Sequence, residues 1–387
     1  MTPGSGDAAL EVALDVSAVP HRPAGAGRYI VELAGALAER ADCGLTLLAR
    51  RDDATTWAGV APGQRVLAVV PRPRVTRLVY EQVRLGAVVG ALTGPRVNVH
   101  HGPHYTMPAR SKVPCVVTVH DLTFFDHPEW HERSKVAWFR AATRYSARHA
   151  ALIICVSEAT AERLRHLLSP RCPVVVIPHG VDLARFSADE PGPGLDRRVL
   201  ERHGLAGRYV LHLGTMEPRK GISDLVAAFE RLAGDHAELE LVLAGGVGWG
   251  GESVTQSIAA SRSGGRIRRL GYVPDAEVPA LIRGATVVAY PSLEEGFGLP
   301  ALEALACGVP LVTTSATPMA EIAGDSALLV PAGQPRALAD AIGEAIAAER
   351  SLEAAGRRAR GLEIAARHTW EACAREHLAA YHVASSR

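Results

Sequence analysis

The sequence predicts an α/β protein built from two doubly wound parallel sheets. Three observations carry that expectation. Short apolar runs rich in Val, Ile and Leu alternate with longer segments of helical period, the βαβ rhythm of a sheet buried on both faces. The rhythm breaks at a stretch rich in Pro, Gly and charge, and then restarts. The chain has 387 residues, enough for two domains that each bury a core.

In order, EVALDV (11–16), LTLLA (45–49), VLAVV (66–70), VNVHH (97–101), CVVTVH (115–120) and ALIICVS (151–157) read as strands of a first sheet, with helices between most of them. The segment VVVIPHGVDLARF (174–186) leads into SADEPGPG, which reads as an interdomain linker with its boundary near 187–200. A second set follows: YVLHLG (209–214), LELVLAGG (239–246), IRRLGYV (267–273), TVVAYPS (286–292), PLVTTS (310–315) and ALLVP (327–331). Beyond residue 335, Ala, Glu, Arg and Leu dominate and favour helix. The expected division is 1–190 and 191–370.

Composition removes several function classes. With 42 Lys+Arg against 41 Asp+Glu, the formal charge of +1 lacks the cationic excess that neutralising many nucleic-acid phosphates requires. The beginning, MTPGSGDAALEVALDV, has no basic segment followed by an apolar one, and no run approaches the length of a membrane span. The expectation is a cytoplasmic protein. Its six cysteines are scattered without a CxxC pair, as buried reduced thiols would be.

In an open parallel sheet, ligands bind beyond the carboxyl ends of strands, so the loops there carry the candidate chemistry. The most informative is AYPSLEEGFGLPALEALACGVPLVTT (289–314). It predicts a turn after Ser292 and a helix starting near Gly298–Pro300, with the amides of Phe297, Gly298 and Leu299 at its positive end. Glu295 before that helix and Glu303 within it add acceptors for hydroxyl groups. The loop suits a ligand carrying both phosphate and sugar hydroxyls. In HLGTMEPRKG (212–221), Arg219 and Lys220 follow Gly214 and suit a diphosphate, unless they form a solvated basic turn.

Other signals are weaker, and each has a plain structural alternative. Gly25 and Gly27 in HRPAGAGRYI permit close approach of a phosphate to a helix start. Gly246, Gly248 and Gly251 match GxGxxG, yet the acidic residue expected about 20 positions later is missing, which favours a glycine-rich turn over a dinucleotide site. His120 in VVTVHDLTFF could bond a substrate hydroxyl or move a proton; a structural pair with Asp121 is the alternative. His100, His101 and His104 compose no legible zinc set. Arg140, Arg144 and Arg148 form a stripe suited to a solvated face, an anionic acceptor or peripheral contact with a membrane.

Together the motifs point to a family. Glu295 to Glu303 is a Glu-x7-Glu motif inside EGFGLPALEA; with GTMEPRKG, VSEAT, IPHGVDLARF and GYVPDAEVPALIRGA it closely resembles the retaining glycosyltransferases of family 4. The resemblance runs from the glycine loop at 25–27 to HTWEACAREHLAAYH. It implies the GT-B fold, two Rossmann-like domains facing each other across a cleft, with a terminal helix (371–387) returning to the first. It assigns Glu303 to the ribose hydroxyls, Glu295 to the donor sugar, and Lys220 to the diphosphate. Phe297, Gly298 and Leu299 would contact sugar and phosphate, Gly25, Gly27 and Gly214 would border the donor, and His120 would face sugar and acceptor.

The base would be held by backbone around Gly271 to Val273, including Tyr272. Many members have an arginine where this chain has Thr215, and Arg219 is its expected substitute. The resemblance further implies a metal-independent reaction with no cofactor, using a nucleoside diphosphate hexose as donor. The EPRK form is similar to bacterial mannosyltransferases, so GDP-mannose is expected over a UDP-hexose. The acceptor would be a glycan, a lipid-linked molecule or a small molecule, reached in the cytoplasm or at the inner face of the membrane. A nucleotide-sugar epimerase and a non-catalytic nucleotide-sugar-binding module are the alternatives.

Overall fold

A computed structural model describes residues 9–23, 25–92 and 97–387. The first eight residues, on which the reading of the chain's beginning partly rests, lie outside these. The described chain forms two compact units, each around one all-parallel sheet.

The first unit has strands β1 (Leu10–Asp15), β2 (Cys43–Arg50), β3 (Arg65–Val70), β4 (Val99–Gly102), β5 (Cys115–Val119), β6 (Leu152–Cys155) and β7 (Val174–Val176). Their order is β3-β2-β1-β4-β5-β6-β7. The second has β8 (Tyr209–Leu213), β9 (Glu240–Ala244), β10 (Ile267–Gly271), β11 (Val287–Tyr290), β12 (Leu311–Thr314) and β13 (Leu328–Val330), in the order β10-β9-β8-β11-β12-β13. Both are doubly wound: the chain builds outward from the first strand of each sheet, returns, and builds outward the other way.

All twelve expected strands are present. The addition is β7, a three-residue edge strand paired with β6 from Ile153↔Val174 to Cys155↔Val176. Its brevity and half-burial make VVV read as a connection. Burial explains why the strands form. In the second unit Val210, Leu241, Leu243 and Val287 pack against helix Ile222–Leu232, where Phe229 is 1% exposed. Fully burying a side chain of that size contributes about 1.5–3 kcal/mol.

The division between units differs from the expected one. The second unit begins at Gly180, well before residue 191. The reason is local: the Val181 amide donates to the His368 carbonyl at 2.9 Å, Arg185 Nη2 donates to the Asp275 carbonyl at 3.1 Å, and Phe186 is buried. SADEPGPG is an ordered approach to helix Leu195–Arg202, with the Glu190 carboxylate accepting from the Gly194 amide at 2.9 Å. Residues His127–His131 also fall with the second unit.

Trp370–Arg387 belongs to the first unit. Helix Trp370–Ser385 packs on helix Ala26–Ala38, and polar contacts fix it there. Tyr29 Oη lies 2.8 Å from His377 Nε2, and Tyr381 Oη lies 2.7 Å from His101 Nδ1.

Candidate active site

In the second unit β8 and β11 are neighbours, while the connections from them run to opposite sides of the sheet. The loops that leave their carboxyl ends therefore part at a crevice, the usual ligand position in such sheets. These are the loops at 214–221 and 291–298, so the topology joins two segments some seventy positions apart.

The meeting is specific. Lys220 Nζ donates to Glu295 Oε1, and Arg219 Nη1 lies 3.4 Å from Glu295 Oε2. Ser292 Oγ donates to Glu295 Oε1 at 2.9 Å. The Leu293 amide donates to the Arg219 carbonyl at 2.8 Å, which ties the loops through backbone as well. Glu217 holds Arg219 from the other side, accepting from its Nε at 2.8 Å, and its second oxygen accepts from Thr215 Oγ1 at 2.8 Å. Thr215 therefore acts on Arg219 through Glu217. Ser292 and Glu217 escape notice in the sequence because both look like ordinary loop polarity.

The electrostatics follow from burial and charge together. The Lys220 and Glu295 side chains are 12% and 10% exposed. Burial alone would raise the Glu295 carboxyl, but Lys220 and Arg219 outweigh it and hold the group at about 2. Burial draws the Lys220 ammonium down against the support of Glu295. Beneath them lies His212, fully buried on β8, with Nδ1 at 3.0 Å from the Ala289 carbonyl. Because that carbonyl can only accept, Nδ1 carries the proton. Burial lowers the ring to about 4, and its Nε2 has no hydrogen-bond partner among the described residues.

Two glycines let the chain pack closely here, Gly221 against the facing loop and Gly298 against Met319. Gly221 has φ +65°, and a Cβ there would fall 2.0 Å from the Pro291 carbonyl oxygen. Gly298, at the start of helix Leu299–Ala306, has φ +106° and would place a Cβ 2.1 Å from Met319 Cγ. Gly221→Ala must separate the two loops or strain the backbone, so turnover and melting temperature should both fall, by about 1–3 kcal/mol in stability. A thermal melt unchanged from wild type would contradict this.

The remaining sequence candidates occupy defined places. Glu303 is buried on helix Leu299–Ala306, and Phe297 and Leu299 are buried beside its start. Gly214 donates its amide to Ala244. Tyr272 is 53% exposed just after β10, whereas Val273 is buried. Two of the GxGxxG glycines serve packing: a Cβ on Gly248 would fall 2.5 Å from Glu217 Cγ, and one on Gly251 would fall 2.5 Å from the Met216 oxygen, whereas one on Gly246 would meet no described atom within 4 Å. They form a turn behind the Arg219 loop.

In the first unit Gly25 precedes helix Ala26–Ala38, and a Cβ there would meet no described atom within 4 Å. Gly27 packs on its own loop, where a Cβ would lie 3.2 Å from Pro23 Cβ. His120 Nε2 lies 2.8 Å from the Pro103 carbonyl, so that nitrogen carries the proton, and burial keeps the ring below its ordinary range. Nδ1 is then the acceptor. Asp121 bonds Thr123 through both its amide and hydroxyl. The other histidines diverge: His101 bonds Thr118 and Tyr381, while His104 packs edge-on against Tyr105 and Phe139.

Among the described residues one group has metal-ligand spacing, His21, Asp52 and Asp53, but Arg72 and Arg50 already pair with its carboxylates. In the arginine stripe, Arg140 donates to the carbonyls of Phe124 and Phe125, and Arg144 lies over the Phe125 ring.

Comparison with known proteins follows the same division of the chain. The family model described as Glycosyltransferase Family 4 matches residues 23–185, and that described as Glycosyl transferases group 1 matches 201–362. O-antigen chain mannosyltransferase B of Escherichia coli is 32% identical over 319 residues, 82% of this chain and 82% of its own. Among solved structures, sucrose-phosphate synthase from Thermosynechococcus elongatus aligns with TM-score 0.76 at 22% identity, covering 96% of this chain and 98% of that one. Anabaena Alr3699/HepE in complex with UDP-glucose aligns with TM-score 0.73 at 20% identity, covering 96% and 100%. The fold is GT-B.

Proposed function

The chain belongs to glycosyltransferase family 4 and is a glycosyltransferase, and from that premise we propose that it transfers a hexose, mannose favoured, from a nucleoside diphosphate sugar to an acceptor hydroxyl. The transfer retains anomeric configuration and uses no metal ion or cofactor. The observation that carries this reading is the cluster of Arg219 and Lys220 against Glu295, at the crevice between β8 and β11.

Cations fixed there would neutralise a diphosphate in the ground state and as it leaves, the task a metal performs elsewhere. In this reading Lys220 exchanges part of its contact with Glu295 for phosphate oxygen when donor arrives. Glu295, already ionised, is then free to accept from sugar hydroxyls. Glu303 takes the ribose hydroxyls, and the amides of Phe297, Gly298 and Leu299 meet sugar and phosphate at the helix start. Gly25, Gly27 and Gly214 border the donor, and backbone at Tyr272 and Val273 holds the base.

The bond from the anomeric carbon to phosphate oxygen breaks while a bond to acceptor oxygen forms on the same face; the acceptor proton passes to the departing phosphate. His120 accepts a hydroxyl hydrogen bond at Nδ1, since its Nε2 proton is committed to Pro103. The name of the mannosyltransferase relative supports mannose as the sugar and a glycan as acceptor; GDP as the carrier and a lipid-linked acceptor are the further part of this reading. All six cysteines are unpaired, which supports a cytoplasmic setting. Among the described residues no helix is long and apolar enough to cross a membrane.

The test is thermal melting with GDP, UDP and ADP, each with and without EDTA. A ligand at a hundredfold excess over its Kd stabilises by about 2.7 kcal/mol. For a domain of this size that raises Tm by about 5–10 °C. GDP should give the shift and EDTA should leave it unchanged. A shift with UDP alone overturns the donor assignment, and abolition by EDTA overturns metal independence.

A further inference from the structure

One surface of the first unit has the wrong polarity for water. Helix Arg74–Tyr80 continues through a five-residue π-helical turn, Glu81–Leu85, into Gly86–Gly90. Along it Val75, Val79 and Val83 recur every four residues and are 73%, 57% and 69% exposed. Three large apolar side chains on one helix face, standing in solvent, mark a contact surface more than a packing defect.

The exposed charge on the helix itself is of one sign. Arg74, Arg77 and Arg84 lie on the same helix, and its single acid, Glu81, is turned inward and 2% exposed. The π-helical turn starts at that residue. Burial and the nearby Asp15 push its carboxyl up to about 8, so it offsets little of the arginine charge at neutral pH. The adjoining chain adds one cation: Gly90 packs on the Lys112 side chain. Two acids reach the rim, Asp52 beside Arg72 at 3.0 Å and Glu132 beside Arg74 at 3.9 Å. Solvent-exposed pairs of this kind are weak and give way to a stronger field.

We propose that this valine face, with its rim of arginines, seats on an anionic bilayer surface. An apolar stripe flanked by cations is the pattern of a helix lying in the headgroup region, where side chains enter the acyl boundary and basic groups meet lipid phosphates. A second copy of the chain is the poorer fit, because a self-complementary contact would bring like-charged rims together. The inference goes beyond the proposed transfer reaction and does not depend on it. It also moves membrane contact away from Arg140 and Arg144, which the fold uses internally.

The test is flotation with mixed phosphatidylglycerol–phosphatidylcholine vesicles against pure phosphatidylcholine, without donor or acceptor. Wild type should float with the anionic vesicles and lose binding as salt rises. Val79→Asp with Val83→Asp, and separately Arg74→Glu with Arg84→Glu, should each weaken binding at least about tenfold while far-UV circular dichroism stays unchanged. Val79→Trp guards against misfolded variants: its added fluorescence should be quenched by brominated lipid. Absence of wild-type flotation, equal binding to neutral vesicles, or an unquenched Val79→Trp would overturn the proposal. So would a salt-sensitive dimer abolished by the valine substitutions.

Discussion

Lys220→Ala should lower kcat/KM for hexose transfer by about 10²- to 10³-fold, the usual loss when one fixed positive or hydrogen-bonding group is removed from a developing anion. Two effects combine. The departing diphosphate loses a cation, and Glu295, about a tenth exposed, loses the partner that holds its carboxyl near 2. Breaking one side of a buried pair costs about 3–5 kcal/mol, so lost turnover must be separated from lost stability.

Lys220→Met combined with Glu295→Gln makes that separation. The neutral pair should regain most of the melting temperature lost in Lys220→Ala, because no charge is left buried alone, yet it should remain as slow or slower. The single substitutions should also be strongly non-additive, since the two side chains share one contact. Nucleotide release across a range of donor concentrations is the rate to measure. Turnover in Lys220→Ala equal to wild type would remove this site from the reaction.

Acid should unfold the first unit before the second. Burial lowers His100 and His377 to about 4 and His104 to about 3, and it also lowers His101, His120 and His179. All lie in the first unit, while the second has His212 at about 4. Between the ordinary histidine value and these folded values, only the unfolded chain takes up protons, so stability falls as pH falls. His100, His377 and His104 together set a slope of about 4 kcal/mol per pH unit. Glu81, raised to about 8, acts oppositely: its contribution is full below the ordinary glutamate range and is lost as pH rises through 8.

The histidines outnumber it. A domain stability of about 5–15 kcal/mol is then exhausted within a few pH units below neutrality. Denaturant melts at pH 7, 6 and 5 should resolve two transitions that separate as pH falls. Coincident transitions with constant stability would contradict the buried neutral histidines.

Much of this was legible in the chain. Strand runs such as CVVTVH and LELVLAGG announce a parallel sheet, and the rule that ligands lie beyond strand ends selects the loops holding Lys220 and Glu295. What periodicity could not supply was neighbourhood. Glu217 and Ser292 gain meaning only once β8 and β11 lie side by side, and His212 looks like any residue of a buried strand. Pro and Gly near 190 signal irregular backbone, and hydrogen bonds of Val181 and Arg185 decide to which unit it belongs. The RVTRLVYEQVRL helix shows the reverse limit: valines at four-residue spacing look alike in sequence whether they face a core or water, and only the tertiary arrangement decides that these face water.

Helix Trp370–Ser385 follows every strand of both sheets in the chain, yet Tyr29 and His101, on early elements of the first unit, take His377 and Tyr381 among their buried partners. The second unit, Gly180–Thr369 with a short earlier segment, has its whole sheet before that helix emerges. Domains usually mature in the order of synthesis. Here the half translated first is the half completed last, and a nascent chain halted near residue 369 would expose an unfinished N-terminal core beside a finished C-terminal one.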